Sequence, residues 1–294
     1  MPAAPDAAPL NRYVLTLSCP DRKGIVHAVT GALLAVEADI EESQQYGSPD
    51  TGTFFLRIGF HSPAALKDVR SALDAPRDEF GVELELWDAT TPVRTLVMCS
   101  RDGHTLNDLL FQQRAGTLPI EIPVIVSNHL ELQSLASFHG VPFIHLPVSA
   151  DATGSRSKAA AEARLRELVE EYQIDLVVLA RYMQILSDEL CADLAGRAIN
   201  IHHSFLPSFK GAKPYHQAHE RGVKLIGATA HYVTADLDEG PIIAQGVQPV
   251  THAQSTADFV ERGREIEGST LVKAVRWHAQ HRVLLDGKRT VVFA

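Results

Sequence analysis

Hydrophobic positions in the first part of the chain change from the two-residue period of a strand to the helical period of about 3.6 residues and back. The pattern predicts, in order, a strand, a helix, two strands, a helix and a strand, at Tyr13–Ser18, Ile25–Val36, Ile40–Tyr46, Thr53–Phe60, Ala64–Phe80 and Val82–Trp87. This βαββαβ order indicates a small domain over residues 11–88. The segment before it, residues 1–10, is predicted to be disordered.

Strands and helices alternate again after a short polar link at residues 89–92. The predicted strands are Thr95–Cys99, Val124–Ser127, Phe143–Leu146, Asp175–Ala180 and Ala198–His202, and the predicted helices are His104–Gln113, Leu130–Phe138, Lys158–Tyr172 and Ser187–Leu194. Such alternation predicts right-handed βαβ units on a mostly parallel, Rossmann-like sheet in a domain over residues 93–294. A helix over residues 257–280 and a hairpin around Asp286 and Gly287 end the chain.

Composition narrows the class of protein. The chain has 294 residues, 45% hydrophobic and 21% charged, which is ordinary for a globular protein with a buried core. A formal net charge of −9 disfavours a phosphate backbone as partner, so we expect no nucleic acid. The first ten residues lack the basic and apolar regions of a signal peptide, and no apolar run is long enough to span a bilayer. We therefore expect a cytoplasmic protein without a membrane partner.

Cysteine and histidine usage gives little support for a metal. Cys19, Cys99 and Cys191 are isolated, which predicts buried small side chains rather than disulfides or thiolate ligands. Fourteen histidines make a catalytic metal an alternative. His216 and His219 lie three residues apart on a predicted helix, but no His-Glu-x-x-His pattern accompanies them. We expect no metal site.

Two polar residues near the end of a predicted strand, together with a later aspartate, suggest the type of reaction. Asn200 and His202 share one face of that strand, and Asp238 follows in the segment Leu237–Pro241. Ligands of such sheets gather at the carboxyl ends of the strands. An amide, an imidazole and a carboxylate that meet there can hold an oxyanion, move a proton and orient a nucleophile, as acyl transfer requires. Taken singly, each residue is more often structural, so the interpretation depends on all three.

The same residues resemble the N10-formyltetrahydrofolate-dependent formyltransferase family, whose catalytic core is Asn-x-His followed by an Asp in a loop ending at Gly-Pro. The resemblance covers Val93 to Ala294. It implies that Asn200, His202 and Asp238 are catalytic in a formyltransferase-like domain. It also implies a folate pocket at Met183, Gln184, Ile185, Leu186, Val233, Thr234 and Gly240. The alternative for the apolar members of that set is that they join the hydrophobic core.

Within that family, the segments His202–Pro207 and Gly211–Ala218 look like a deformylase rather than a glycinamide ribonucleotide formyltransferase. Such transferases carry a glycine-rich phosphate-binding loop after the first core strand, whereas Ser100–Asn107 has one glycine and the anionic Asp102. The resemblance implies hydrolysis of 10-formyltetrahydrofolate to tetrahydrofolate and formate, which supplies purine synthesis and balances one-carbon pools. The folate is then substrate, and we expect no separate cofactor. The alternatives are formyl transfer to an amine such as glycinamide ribonucleotide, and a folate or amino-acid sensor with an inactive site.

For hydrolysis, Asn200 and His202 are expected to stabilise the oxyanion, while Asp238 orients water and accepts its proton. If Asp238 is the general base, apolar surroundings should raise its pKa toward the working pH. Lys210 and Lys213 resemble a family loop and could attract the anionic tail of folate, although loop lysines are usually only solvated.

The first domain resembles an ACT domain, a ferredoxin-like module, through its strand order and the turn Cys19–Val26. That resemblance implies an amino-acid effector site at Asp21 and Gly24, and a homo-oligomer of unspecified order. The alternative is that Asp21 caps the following helix and Gly24 only permits a tight turn. Both interpretations remain open at this point.

Overall fold

The computed structural model describes residues 10–149, 154, 157–206 and 214–294. Contacts divide the chain into two compact units. The first contains the residues up to Thr91 together with Gln280–Asp286 and Val291–Ala294, and the second contains Pro92–Ala279 with Gly287–Thr290. The predicted disordered segment, residues 1–10, lies outside the described residues except for Leu10. Among the described helices, none has the length and apolar character needed to cross a membrane.

The first unit is a four-stranded antiparallel sheet with helices on it. Its elements are β1 Asn11–Pro20, α1 Ile25–Ala35, β2 Asp39–Gly47, β3 Thr53–Ser62, α2 Leu66–Ala72, α3 Asp74–Phe80 and β4 Glu83–Asp88. The strand order is β2-β3-β1-β4. Leu15, Leu56 and Phe60 of the central strands are fully buried against Val29 and Leu33 of α1. Apolar residues on one face of β1 and β3 therefore form the core with one stripe of α1.

Two helices, α2 and α3, stand where the sequence predicted one over Ala64–Phe80. The break falls at Leu73, which follows α2 and precedes α3. Pro76 explains it, because proline has no N–H to donate to the carbonyl four residues earlier, and its ring crowds that carbonyl. The single-helix prediction was wrong at this point.

The C-terminal residues belong to the first unit, which differs from the predicted boundary at 93–294. Arg57, which is buried, donates from Nη2 to the carbonyl of Gln280 at 3.0 Å and from Nε to that of His281 at 3.1 Å. The ring of His281 stacks on Trp87 with centroids 3.8 Å apart. These contacts hold the end of the chain in place. The local sequence pattern of that segment does not predict them.

The second unit contains a seven-stranded sheet. Its elements are β5 Val93–Cys99, α4 His104–Arg114, β6 Ile120–Ser127, α5 Gln133–Phe138, β7 Phe143–His145, α6 Lys158–Glu171, β8 Leu176–Ala180, α7 Asp188–Asp193, β9 Ala198–His202, α8 Pro214–Glu220, β10 Leu225–Tyr232, β11 Ile242–Pro249 and α9 Thr256–Ala279. The hairpin strands β12 Val283–Asp286 and β13 Arg289–Val292 end the chain. The predicted α/β class, an antiparallel domain followed by a mostly parallel sheet, is confirmed.

The strand order of this sheet is β11-β10-β9-β8-β5-β6-β7. Pairs from β9 to β7 are parallel, while β10 pairs antiparallel with both β9 and β11. Every residue of β8 is buried, as its continuous apolar run predicted. Because β10 runs against β9, its last residues lie beside the middle of β9, where the candidate catalytic residues are.

Candidate active site

Asn200 and His202 lie on β9, and the antiparallel register places His231 of β10 directly opposite Asn200. The His231 Nδ1 lies 2.8 Å from the carbonyl oxygen of Tyr232 and donates to it. In the neutral ring Nε2 then accepts from the Asn200 amide, which lies 3.2 Å away. An amide has two N–H donors, so this contact leaves the second one of Asn200 for a ligand.

Asp238 lies in the loop between β10 and β11, close to both imidazoles. Its Oδ2 is 3.1 Å from Nδ1 of His202, and its Oδ1 is 3.7 Å from Nε2 of His231. The backbone at Asp238 has a φ of 58°, a left-handed conformation that aspartate tolerates better than most residues. The three residues singled out in the sequence are thus brought together by adjacent strands and one loop.

The base of this loop is closed tightly. The Tyr232 N–H donates to the carbonyl of Pro241 at 2.9 Å. A Cβ on Gly240 would overlap the carbonyl oxygen of Tyr232 and approach the His231 ring to 3.2 Å, so only glycine fits. Gly240 therefore holds the loop against β10, which places Asp238. It does not line the cavity described below, although the sequence assigned it to the folate pocket.

The expected pKa of Asp238 was wrong in direction. Burial raises the pKa of this carboxyl, but its contacts with the imidazoles of His202 and His231 outweigh burial and hold the pKa well below its usual range. Asp238 is therefore an anion at neutral pH and a weak base. Its geometry suits it to orient His202 and to stabilise a positive charge on that ring.

His202 has one ring nitrogen engaged and one open. Nδ1 faces Asp238, whereas Nε2 is buried and has no hydrogen-bond partner among the described residues. Buried polar atoms are nearly always paired, so an orphaned imidazole nitrogen indicates a place for a ligand atom. With Nδ1 donating to a carboxylate, Nε2 of the neutral ring is an acceptor, which is the arrangement of a general base.

His202 also lines a cavity of about 230 Å³. The cavity is lined by Asn200, His202, His231 and Asp238, and by Met183, Gln184, Ile185, Leu186, Val233 and Thr234, which the sequence assigned to a folate pocket. Met183 and Ile185 are 57% and 61% exposed, so they do not join the core, whereas Leu186 is buried. Exposed apolar side chains at a cavity mouth offer a surface to a flat ring system.

Sequence reasoning missed a polar cluster next to this cavity. Buried Glu267 of α9 accepts from the Tyr215 hydroxyl at 2.7 Å and from His104 Nε2 at 2.8 Å, and Arg181 Nε lies 3.5 Å away. The helical spacing of Gly263, Glu267 and Leu271, all buried, could have placed this glutamate on the inward face of α9. Without the fold, however, nothing in the sequence connects it to Arg181.

Asp21 and Gly24 lie in the first unit, in the turn before α1, and both are exposed. Gly24 has a φ of 102° and is itself the N-cap residue of α1, without a side-chain cap. The turn explanation for Gly24 is therefore supported, and the capping explanation for Asp21 was wrong. An effector site there stays a prediction.

The remaining sequence predictions can be placed as follows. All three cysteines are free and buried, and burial raises the pKa of the Cys99 thiol to about 12, so that thiol is inert. Within the described ranges, no group of three or more histidine, cysteine or acidic side chains is arranged to hold a metal. Lys210 and Lys213 lie outside the described residues.

The geometry joins an orienting carboxylate, an imidazole with one open nitrogen and an amide donor at the edge of an α/β sheet. The formyl transferase family profile matches residues 93–275 of the chain, which is more than half of it. The chain belongs to the formyl transferase family. The match begins at β5 and ends within α9, so it contains every residue of the site described above.

Relatives within the family match nearly the whole chain. The formyltetrahydrofolate deformylase of Corynebacterium sp. (strain P-1) is 50% identical over 284 residues, which are 96% of this chain and 98% of that protein. That of Bacillus subtilis (strain 168) is 43% identical, covering 95% and 93%. The crystal structure of the Burkholderia mallei formyltetrahydrofolate deformylase has a TM-score of 0.91 at 46% identity, covering 97% of this chain and 100% of that one. The resemblance to formyltetrahydrofolate deformylases is confirmed.

Proposed function

We propose that this chain is an enzyme that hydrolyses 10-formyltetrahydrofolate to tetrahydrofolate and formate. The observation that carries the proposal is His202, which lines the cavity. Its Nδ1 is held by Asp238, while its buried Nε2 has no hydrogen-bond partner among the described residues. The deformylases that match the chain over almost its full length support the same reaction.

Water is the nucleophile in the proposed mechanism. Nε2 of His202 accepts a proton as the water oxygen attacks the formyl carbon, and Asp238 stabilises the imidazolium that forms. The free N–H of Asn200 donates to the oxyanion of the tetrahedral intermediate. The bond to N10 then breaks as His202 returns the proton to that nitrogen, and the formic acid released loses its own proton to solvent.

Folate binding is assigned to the apolar mouth of the cavity. We infer that the pterin ring lies against Met183, Ile185 and Leu186, and that backbone groups from Val233 to Asp238 supply its hydrogen bonds. The exposure of Met183 and Ile185 supports this assignment, because an apolar side chain gains most from a ligand that removes it from water. Gln184 and Thr234 are the polar side chains at the same mouth.

The experiment is turnover of 10-formyltetrahydrofolate by the purified chain, followed by absorbance, with and without glycinamide ribonucleotide, and with formate assayed at the end. We expect tetrahydrofolate and formate in equal amounts without any acceptor. Turnover only when the amine is present would replace hydrolysis by formyl transfer. Folate binding without turnover under either condition would indicate a sensor.

The cellular role and the first unit complete the proposal. We propose that the formate serves purine synthesis in the cytoplasm, that the chain forms a homo-oligomer through its first unit, and that an amino acid binds near Asp21 and Gly24. The ferredoxin-like order of that unit supports the last two points. Titration of the activity with glycine and methionine tests the effector, and light scattering tests the oligomer. Unchanged rates would leave the first unit with a role in assembly alone.

A further inference from the structure

A second cavity, of about 410 Å³, lies beside the one that holds Asn200 and His202. The two cavities share three lining residues, Arg181, Met183 and His203. Both are formed within the second unit. Arg181 therefore borders both the cavity that His202 lines and the second cavity.

Arg181 is held in an unusual position. It follows β8 directly and has a φ of 62°, a left-handed conformation that is costly for a side chain with a Cβ. Its side chain is only 14% exposed. Asp102 accepts from Nη2 at 3.2 Å, and Glu267 lies 3.5 Å from Nε. Two carboxylates thus fix one edge of a buried guanidinium.

Two nitrogens of that guanidinium make no hydrogen bond within the part of the chain that the structure describes. Nε and Nη1 of Arg181 are buried, and neither has a hydrogen-bond partner among the described residues. A guanidinium is always charged and only donates, so its N–H groups need acceptors. Leaving donors of a buried cation unsatisfied is costly, which makes the observation informative about what should bind there.

The carboxylate of Glu267 is held by other side chains and makes no hydrogen bond to Arg181, whose Nε lies 3.5 Å from it. Both oxygens of Glu267 are already used, one by Tyr215 and the other by His104. Burial raises the pKa of Glu267, but His104, Arg181 and Tyr215 outweigh it, so the residue stays ionised where it is. Burial, with the charges of Arg181 and His202, lowers the pKa of His203 to about 4, so His203 adds no positive charge at neutral pH.

We propose that the second cavity binds a small monocarboxylate through the open N–H groups of Arg181. The identity of the ligand rests on the proposed function: it is the formate released at His202. A carboxylate has two acceptor oxygens and is the anion whose shape best matches a guanidinium. The volume leaves room for several waters, so formate keeps part of its hydration and can depart quickly. The glutamate tail of folate carries the same group, and the experiment must separate the two.

The test is a titration of the full-length protein with ¹³C-formate, without folate, followed by the ¹³C linewidth. We expect saturable binding with a dissociation constant on the order of 1 mM or weaker, since so few ligand atoms give modest affinity. Arg181→Met should weaken it about 10- to 100-fold, as loss of charge-assisted hydrogen bonds predicts. Arg164→Met is the matched control, because Arg164 pairs with Glu167 on the surface of α6 and lines neither cavity.

Equal formate affinity in wild type and Arg181→Met, or no binding by wild type, would overturn the proposal. If circular dichroism shows that Arg181→Met is unfolded, Arg181→Lys replaces it, since lysine keeps the charge and loses the planar fork. We expect an intermediate affinity for that variant. p-Aminobenzoylglutamate should not displace formate, and displacement that depends on Arg181 would assign the site to the folate tail instead.

Measurements of turnover distinguish a failure of this proposal from a failure of the proposed function. Formate should inhibit wild type as a product and inhibit Arg181→Met about 10- to 100-fold less strongly, in parallel with binding. Normal hydrolysis with unchanged formate binding in Arg181→Met would overturn the proposed formate site and leave the proposed function standing. Formate binding that depends on Arg181, in a protein that does not hydrolyse 10-formyltetrahydrofolate, would instead overturn the proposed function.

Discussion

The two polar clusters of the second unit leave opposite kinds of atom unpaired. Around Asp238, the carboxylate is paired and the open atom is Nε2 of His202, which can accept a proton. Around Glu267, the carboxylate is also paired and the open atoms are the N–H groups of Arg181, which can only donate. A buried carboxylate thus supports a base in one cluster and a cation in the other, and the unpaired atom of each indicates whether its ligand donates or accepts a hydrogen bond.

The largest effect should come from Asp238→Asn. The amide cannot stabilise an imidazolium at His202, so kcat should fall about 10⁴-fold, the size of loss known when the orienting carboxylate of a Ser-His-Asp triad becomes an amide. Folate binding, measured by fluorescence quenching, should remain. Asp236→Asn changes the same chemistry in the same loop at an exposed position and should keep its rate. Full activity in Asp238→Asn would show that the His202 pair has no part in turnover.

Glu267→Gln should act on stability more than on chemistry. It removes one of the two carboxylates beside Arg181 and leaves Asp102, so the loss should approach about 3–5 kcal/mol, which breaking a buried ion pair typically costs. The free energy of unfolding, from urea titration, is the measurement. Glu265→Gln, on the same helix but exposed, is the control and should change it little. A fall in kcat as large as that of Asp238→Asn, with unchanged stability, would mean that the two clusters act as one catalytic unit.

His203, which lines both cavities, should make stability fall in mild acid. Its pKa is lowered from 6.5 to about 4 in the folded chain, so the unfolded chain binds the extra proton between those values. Stability is full above about pH 6.5 and declines toward pH 4, by up to ~1.4 kcal/mol per pH unit for this one group. His203→Gln should flatten that slope in urea titrations. An unchanged slope would contradict a neutral His203.

His278 offers a comparison for the same measurement. Burial lowers the pKa of His278 to about 4, and its Nδ1 lies 2.8 Å from the Tyr232 hydroxyl. His278→Gln should flatten the same acid slope by a similar amount while leaving the rate nearly unchanged, because His278 lines neither cavity. His203→Gln should change both the acid slope and the rate.

Metal removal should have the smallest effect. Both ring nitrogens of His231 and Nδ1 of His202 already have protein partners, so these imidazoles are committed to other roles. Dialysis against EDTA is expected to leave kcat unchanged within error. A loss restored by added zinc would assign Nε2 of His202 to a metal and reverse the acid–base interpretation.

Local pattern predicted the parts of the fold that depend on one segment at a time. The apolar run of β8 and the position of Asn200 and His202 on β9 could be read from spacing alone. The antiparallel pairing of β10 and β11 at the sheet edge could not be predicted, because their direction depends on how the chain returns after α8. The pairing of His231 with Asn200 is a consequence of that return.

The electrostatic properties of the two clusters could not be predicted from single segments either. The sequence predicted that Asp238 faces the catalytic strand, but the direction of its pKa depends on two imidazoles from different strands. Arg181 and Glu267 are separated by five helices and strands, and only the folded sheet brings them within 3.5 Å. Properties that require several distant charges at once cannot be obtained from spacing within one segment.

The closed base of the loop after β10 also has a practical meaning for protein engineering. The contact of Gly240 with Tyr232 and the hydrogen bond from Tyr232 to Pro241 fix both ends of the loop, while Thr234, Ala235 and Asp236 at its tip are exposed. The residues at the tip can therefore be substituted while both ends of the loop stay in place. A library restricted to those three positions could change which pteridine derivatives are accepted and leave the carboxylate of Asp238 where it is.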